Sequence, residues 1–264
     1  MEISRLAISA ITTQRWSAWE DLKQYQAVGI RAMGLWRFKL DGVDLVQYRR
    51  ALSDAGITVT NLCFGGQFTL GVEEALEDGR RALDQAAQLA APVLLVISGP
   101  VRETLEQSHG LLMEGLGRLA EEATKYQITL ALEALHPMDM TQWTIIPTVN
   151  NALDVLDGLN HPALGLMLDL YNSWWDPALP QAIQRAGPRI RSVQFADWRA
   201  PTRSFTDRAL PGTGVANLSQ LIHGIEATGY GGAYDLEIFS DELWSNPDGY
   251  PALLTHTIQW WRGV

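Results

Sequence analysis

The segment Ile128–Leu135, ITLALEAL, is an apolar run with the length and composition of a buried strand, and its carboxyl end carries Glu133. Three later runs repeat the pattern: ALGLMLDLY (163–171) with Asp169, IRSVQFAD (190–197) with Gln194, and AYDLEIF (233–239) with Glu237. Burying a carboxylate costs several kcal/mol unless a positive charge sits beside it. Four oxygen-bearing side chains at four successive strand ends are what a single divalent cation requires. Without a thiolate, such a set suits Mg²⁺ or Mn²⁺ best, and Co²⁺ or Zn²⁺ also fit.

Working outward, strand-like segments also begin at Ile3 (ISRLAISA), Ile30 (IRAMGLW), Ile57 (ITVTNLCF) and Pro92 (PVLLVIS). Amphipathic stretches separate them: 17–29, 43–56, 72–90 and the long 102–126. After Glu133 come helical patterns over 148–159, 177–187 and 216–229, and a closing helix through 244–263. Gly29, Gly56 and Gly229 stand where helices stop before a strand, the position where a left-handed cap favours glycine. Strict alternation of strand and helix predicts a parallel α/β sheet, most simply one (β/α)8 TIM barrel spanning 1–264. An open doubly wound sheet would usually place a glycine-rich phosphate turn after its first strand, and SAITTQRW has none. In a closed barrel the strand carboxyl ends share one face, so Glu133, Asp169, Gln194 and Glu237 are expected to converge.

Composition narrows the partners. The chain has 264 residues, 47% hydrophobic and 19% charged, with a formal net charge of −10. That balance disfavours nucleic acid and anionic membranes, which call for clustered Lys and Arg. Cys63 is the single cysteine, so no intramolecular disulfide and no thiolate zinc site is expected. The N-terminus lacks a charged head followed by a long apolar stretch, and the expected location is the cytoplasm. A homo-oligomer is compatible with the sequence.

The segments LALEALHP, LGLMLDLYN, VQFADW, DRALPGTGVANL and DLEIF resemble the xylose-isomerase-like superfamily of sugar isomerases and epimerases, along essentially the whole chain. The resemblance implies a TIM barrel with one divalent metal held by Glu133, Asp169, Gln194 and Glu237. In the ketose 3-epimerases of this superfamily the third ligand is usually histidine, where this chain has Gln194, and a further histidine replaces Asn172. A Glu–Asp–Gln–Glu set resembles the dehydratase branch, which acts on inosose-like cyclitols and dehydroshikimate. Endonuclease IV shares the barrel, but its several histidine ligands have no counterpart at Gln194, Asn172 or Ala209.

The expected activity is therefore isomerisation or epimerisation of a small keto-sugar or keto-cyclitol through an enediolate, with dehydration as the alternative. A third alternative is a sugar-binding or partner subunit without turnover. By the resemblance, Glu133 and Glu237 double as bases. His136, three residues past Glu133, and Lys39 in LWRFK join them as candidate catalytic groups. Arg37 and Arg199 are candidates for binding substrate hydroxyls or a carboxylate. Trp36, Trp174, Trp175 and Trp198 follow strands and are candidate pocket walls. Asp207 and Arg208 in DRALPGTG are expected to order their loop, and His109, His161, His223 and His256 are assigned to helices or back-face turns.

Overall fold

The computed structural model describes residues 1–264. Eight parallel strands close a barrel: β1 (Leu6–Ser9), β2 (Ala32–Trp36), β3 (Thr58–Gly66), β4 (Val93–Ile97), β5 (Thr129–Glu133), β6 (Leu164–Asp169), β7 (Ile190–Phe195) and β10 (Tyr234–Leu236). The closing pairs are β1 on β2 and β1 on β10, with Ile8 opposite Leu236. The remaining short strands, β8 (Asp197–Trp198) and β9 (Arg208–Ala209), form a separate antiparallel pair after β7.

The outer ring is α1 (Ala18–Ala27), α2 (Leu45–Asp54), α3 (Val72–Leu89), α4 (Leu105–Tyr126), α5 (Val149–Leu159), α6 (Leu170–Ser173), α7 (Leu179–Ala186), α8 (Leu218–Glu226), α9 (Asp241–Ser245) and α10 (Tyr250–Gly263). Their apolar stripes seal the barrel. On α3 the residues Leu76, Ala82, Leu83 and Ala86 are buried while Glu77 and Arg81 face outward. Each such leucine contributes about 1.5–3 kcal/mol by leaving water. No helix is long and apolar enough to cross a membrane.

Element boundaries differ from expectation where local chemistry intervenes. Ile3–Arg5 form a 3-10 turn, so the first strand starts at Leu6. The long helix begins at Leu105, because the Thr104 hydroxyl accepts from the Gln107 amide and caps it there. The closing helix is split at Asn246–Gly249, where Pro247 and Gly249 interrupt the helical ladder. Gly29, Gly56 and Gly229 do adopt positive φ at helix ends.

The barrel interior is not wholly apolar. Asn61 donates from Nδ2 to Asp235 Oδ2 (3.1 Å) and to Ser192 Oγ (3.2 Å). Gly34 makes room for that carboxylate, since a Cβ there would lie 2.0 Å from Asp235 Oδ2.

Candidate active site

Glu133 closes β5 and Asp169 closes β6, and strand register sets Glu133 beside Met167 and Asp169 beside Gln194. Gln194 in turn pairs with Asp235 on β10, two residues before Glu237. The four side chains anticipated from the strand ends thus meet at the carboxyl-terminal mouth of the barrel, all of them buried.

Hydrogen bonds tie them into one group. Asp169 accepts from the Tyr171 amide (2.8 Å) and so caps α6, the helix turn that follows directly. That turn swings Asn172 back over the strand ends, where its amide donates to Glu133 Oε1 (3.0 Å) and Asp169 Oδ2 (2.8 Å). Gln194 Nε2 donates to Glu237 Oε1 at 2.7 Å, leaving Gln194 Oε1 buried without a hydrogen-bond partner.

Arg208 completes the cluster. Its Nη1 donates to Glu237 Oε2 (3.0 Å), to the Glu237 carbonyl (3.0 Å) and, more distantly, to Asp169 Oδ2 (3.4 Å). The guanidinium lies between the rings of Tyr171 and Phe239, 4.2 and 4.5 Å from their centroids. Expected to order its loop, Arg208 is also carried into the site by the β8–β9 hairpin. As these side chains stand, no three His, Cys, Asp or Glu groups are arranged as an ion-binding cluster, and the Arg208 guanidinium bridges Asp169 and Glu237.

Three carboxylates share this buried space with one guanidinium. Burial, reinforced by the charges of Asp169 and Glu237, pushes Glu133 well above the ordinary carboxylate range. Burial also raises Asp169, against the pull of Arg208. Glu237 is raised to about 7, again chiefly by burial. The cluster therefore favours either protons or a further cation.

Beside it lies a cavity of about 160 Å³, nine of whose fourteen lining residues are hydrophobic. Glu133, Asn172, Arg208, Glu237 and Asp139 are its polar lining residues. Asp139 is brought there by a 3-10 turn, Pro137–Asp139, whose end is fixed by backbone bonds from Gln142, Trp143 and Thr144 to its carbonyl. Burial raises its carboxyl to about 6.

The other residues nominated from the sequence have different fates. Trp36 lines the cavity and donates its indole N–H to Ser9 Oγ at 2.9 Å. Trp198 is stacked between Tyr171 and His136, centroids 4.7 and 5.0 Å away. Trp175 donates to the Asn172 carbonyl (2.8 Å) and so braces the residue that orients Glu133. Trp174 leans on Trp198 and faces a separate groove between α7 and α8. His136 accepts from the Met138 amide (3.2 Å), and its half-buried imidazole is held below its ordinary pKa by burial.

The basic candidates are all engaged by nearby acids. The Lys39 ammonium, 4% exposed, is paired with Asp21 and donates to the carbonyls of Ala10 (2.9 Å) and Thr13 (3.0 Å). It lies outside the cavity lining. Arg37 forks onto Asp78 at 2.6 and 2.8 Å and lines a neighbouring cleft instead. Arg199 pairs with Asp207 at 2.9 Å, as Arg203 does from the other side.

Sequence reading missed Arg208, Asn172 as a hydrogen-bonding partner, Asp139 and the aromatic residues Phe64, Trp143 and Phe239. Asn172 carried a usable signal, because a residue three past Asp169 in a helical turn faces the same carboxylate. Arg208 carried none, since its place depends on a hairpin invisible in the pattern.

A family profile described as a xylose isomerase-like TIM barrel matches residues 22–263. A 3-dehydroshikimate dehydratase of Pseudomonas putida is 30% identical over 229 residues, 79% of this chain. The chain spans only 34% of that protein's length. An L-ribulose-5-phosphate 3-epimerase of Escherichia coli is 26% identical over 203 residues, 72% of this chain and 68% of the epimerase. A solved structure of a Sinorhizobium meliloti protein, SMc04130, superposes with a TM-score of 0.94 at 31% identity, covering 99% of this chain and 98% of the other.

Proposed function

The chain belongs to the xylose isomerase-like TIM-barrel family, and we propose that it is a divalent-metal-dependent enzyme that enolises a small keto-sugar or keto-cyclitol. The observation that carries this reading is the buried, oxygen-only group at the barrel mouth: Glu133, Asp169, Glu237 and the unpartnered Oε1 of Gln194. These residues fit a hard divalent cation, because a buried amide oxygen without a donor wants a positive partner and three carboxylates exceed what Arg208 alone offsets. They would be its ligands. When bound, such an ion polarises a carbonyl and acidifies the neighbouring C–H.

The chain's own groups then divide the labour. Glu133 ends β5 and Glu237 follows β10, and both carboxylates line the cavity, where either can move a carbon-bound proton. Asn172 aims Glu133, while Arg208 aims Glu237 and favours its carboxylate form. Trp36, Phe64 and Phe239 exclude water from the reacting carbon. Return of the proton to the opposite face gives an epimer, and return to the adjacent carbon gives an isomer.

A second outcome, loss of a β-hydroxyl from the same enediolate, is favoured by Gln194 at the third position and by the dehydratase relative. Incubation with Mn²⁺ and a panel of ketoses, an inosose and 3-dehydroshikimate in D₂O, followed by NMR, tests both. Deuterium at the carbon next to the carbonyl is expected, and loss of water would separate dehydration from epimerisation. Absence of exchange across the whole panel contradicts the reading.

A further inference from the structure

The dehydratase and epimerase relatives are named for anionic substrates, a carboxylate and a 5-phosphate. This pocket offers neither group a partner. Among its lining residues Arg208 is the single base, and it is already bonded to Asp169 and Glu237. Glu133, Glu237 and Asp139 are the lining acids. The cleft next door, which shares Trp36, Cys63 and Phe64 with the cavity, repeats the imbalance, with Arg37 facing Asp78 and Glu74. Lys39 is buried against Asp21, and Arg199 and Arg203 are held by Asp207 and Glu242. An incoming anion would find no unengaged Lys or Arg among these lining residues to pair with.

Barrels of this kind often bind phosphate with backbone amides after the seventh and eighth strands. Here three amides in the loop after β7 are taken. Asp197, 1% exposed, accepts from Gly212 N (2.9 Å), Gly214 N (2.9 Å) and Ala216 N (3.0 Å), all within the PGTGVA loop. A Cβ at Gly214 would lie 2.4 Å from Asp197 Oδ1, so the loop is moulded on that carboxylate. An internal carboxylate thus occupies this backbone-amide cradle.

The walls point the same way. Trp143, Phe64, Trp36, Phe239 and Phe205 form an unbroken chain of ring contacts, with centroids 6.4, 6.0, 5.6 and 6.4 Å apart in that order. Cys63, Leu95, Ile97 and Leu135 complete the apolar lining. A hydroxyl pressed against such a surface loses its water without gaining a partner, at a cost of roughly 1–3 kcal/mol each. A cavity of about 160 Å³ is close to the roughly 150 Å³ that holds one six-membered ring.

We infer that the pocket takes an uncharged α-hydroxyketone the size of one ring, with its oxygens grouped on one edge and an apolar flank facing the aromatic wall, and that it excludes phosphorylated and carboxylated counterparts. The inference rests on the enolisation reading for the role of the oxygen edge. The flank and the charge discrimination follow from the wall and the amide cradle.

Calorimetric titration of the full chain with Mn²⁺ present tests it through two matched pairs. In one, 2-hydroxycyclohexanone is compared with scyllo-inosose, the same ring hydroxylated all round; in the other, L-ribulose is compared with its 5-phosphate. The first member of each pair is expected to bind at least about tenfold more tightly. A reversed order in either pair, or no binding by any of the four, overturns the inference. In a second protein, Phe205→Arg at the exposed cavity rim, the phosphorylated ketose should approach L-ribulose in affinity. A folded Phe205→Arg that still excludes the phosphate overturns the charge argument. Binding is read without turnover, so the expected ligand order without deuterium exchange sinks enolisation alone. Efficient exchange on L-ribulose 5-phosphate sinks this inference alone.

Discussion

The two halves of the barrel mouth use charged residues in opposite ways. After β2, Lys39 and Arg37 are each matched by an acid from a neighbouring helix, Asp21 on α1 and Asp78 on α3. After β5, β6, β7 and β10, three carboxylates gather around one guanidinium and an unpartnered amide oxygen. The first arrangement is closed and holds loops in place. The second is incomplete in that one buried amide oxygen has no hydrogen-bond partner, and the proposed function supplies a cation there. Charge near a barrel mouth is thus a poor guide to function until its partners are counted.

Substitutions sharpen that contrast. In the incomplete half, Glu237→Gln and Glu133→Gln should each lower kcat by about 10³-fold or more in protein that still melts cooperatively, checked by steady-state assay and calorimetry. In the closed half the pattern should invert. Lys39→Ala strands Asp21, whose carboxyl burial already raises to about 7, and should cost about 3–5 kcal/mol of stability in denaturant unfolding. The surviving folded fraction should keep nearly unchanged kcat. If Lys39→Ala abolished turnover in folded protein, the assignment of Lys39 to scaffolding would be wrong.

Asn172→Ala should weaken Mn²⁺ binding by about 10–100-fold, because Glu133 and Asp169 lose the amide that orients both. The pH dependence of stability without added metal should expose the same imbalance. Folding raises Glu237 from 4.5 to about 7 and raises Glu133 and Asp169 as well. A raised folded-state pKa stabilises most below the unfolded value, and that contribution is lost as pH climbs through the folded one. Unfolding free energy should therefore fall between pH 5 and pH 8, by an amount on the order of 1–3 kcal/mol, with Arg208 limiting the loss. Glu237→Gln should flatten the slope, and a slope unchanged in that variant would remove Glu237 from the cluster's titration.

The barrel was legible because it is written in local patterns: apolar runs of strand length, amphipathic spacers and glycines that do cap helices at Gly29, Gly56 and Gly229. Glu133, Asp169, Gln194 and Glu237 were legible for the same reason, each being a polar residue ending an apolar strand. The pairing of Lys39 and Arg37 was not legible because their acids lie 18 and 41 residues away, on helices whose facing no local pattern gives. Arg208 reaches the site through an antiparallel pairing with Trp198 across a turn-rich loop, and Asp139 through a single 3-10 turn. Such irregular segments carry much of the chemistry of a barrel mouth and little periodicity.

The central claim is that the four oxygens of the incomplete half accept one divalent ion. Calorimetric titration of Mn²⁺ into the metal-stripped chain tests it most directly, with Asp169→Asn and Lys39→Met titrated alongside. One ion per chain is predicted, with binding lost in Asp169→Asn and retained in Lys39→Met. Binding that survives in Asp169→Asn unchanged, or no binding to the unaltered chain, would contradict it.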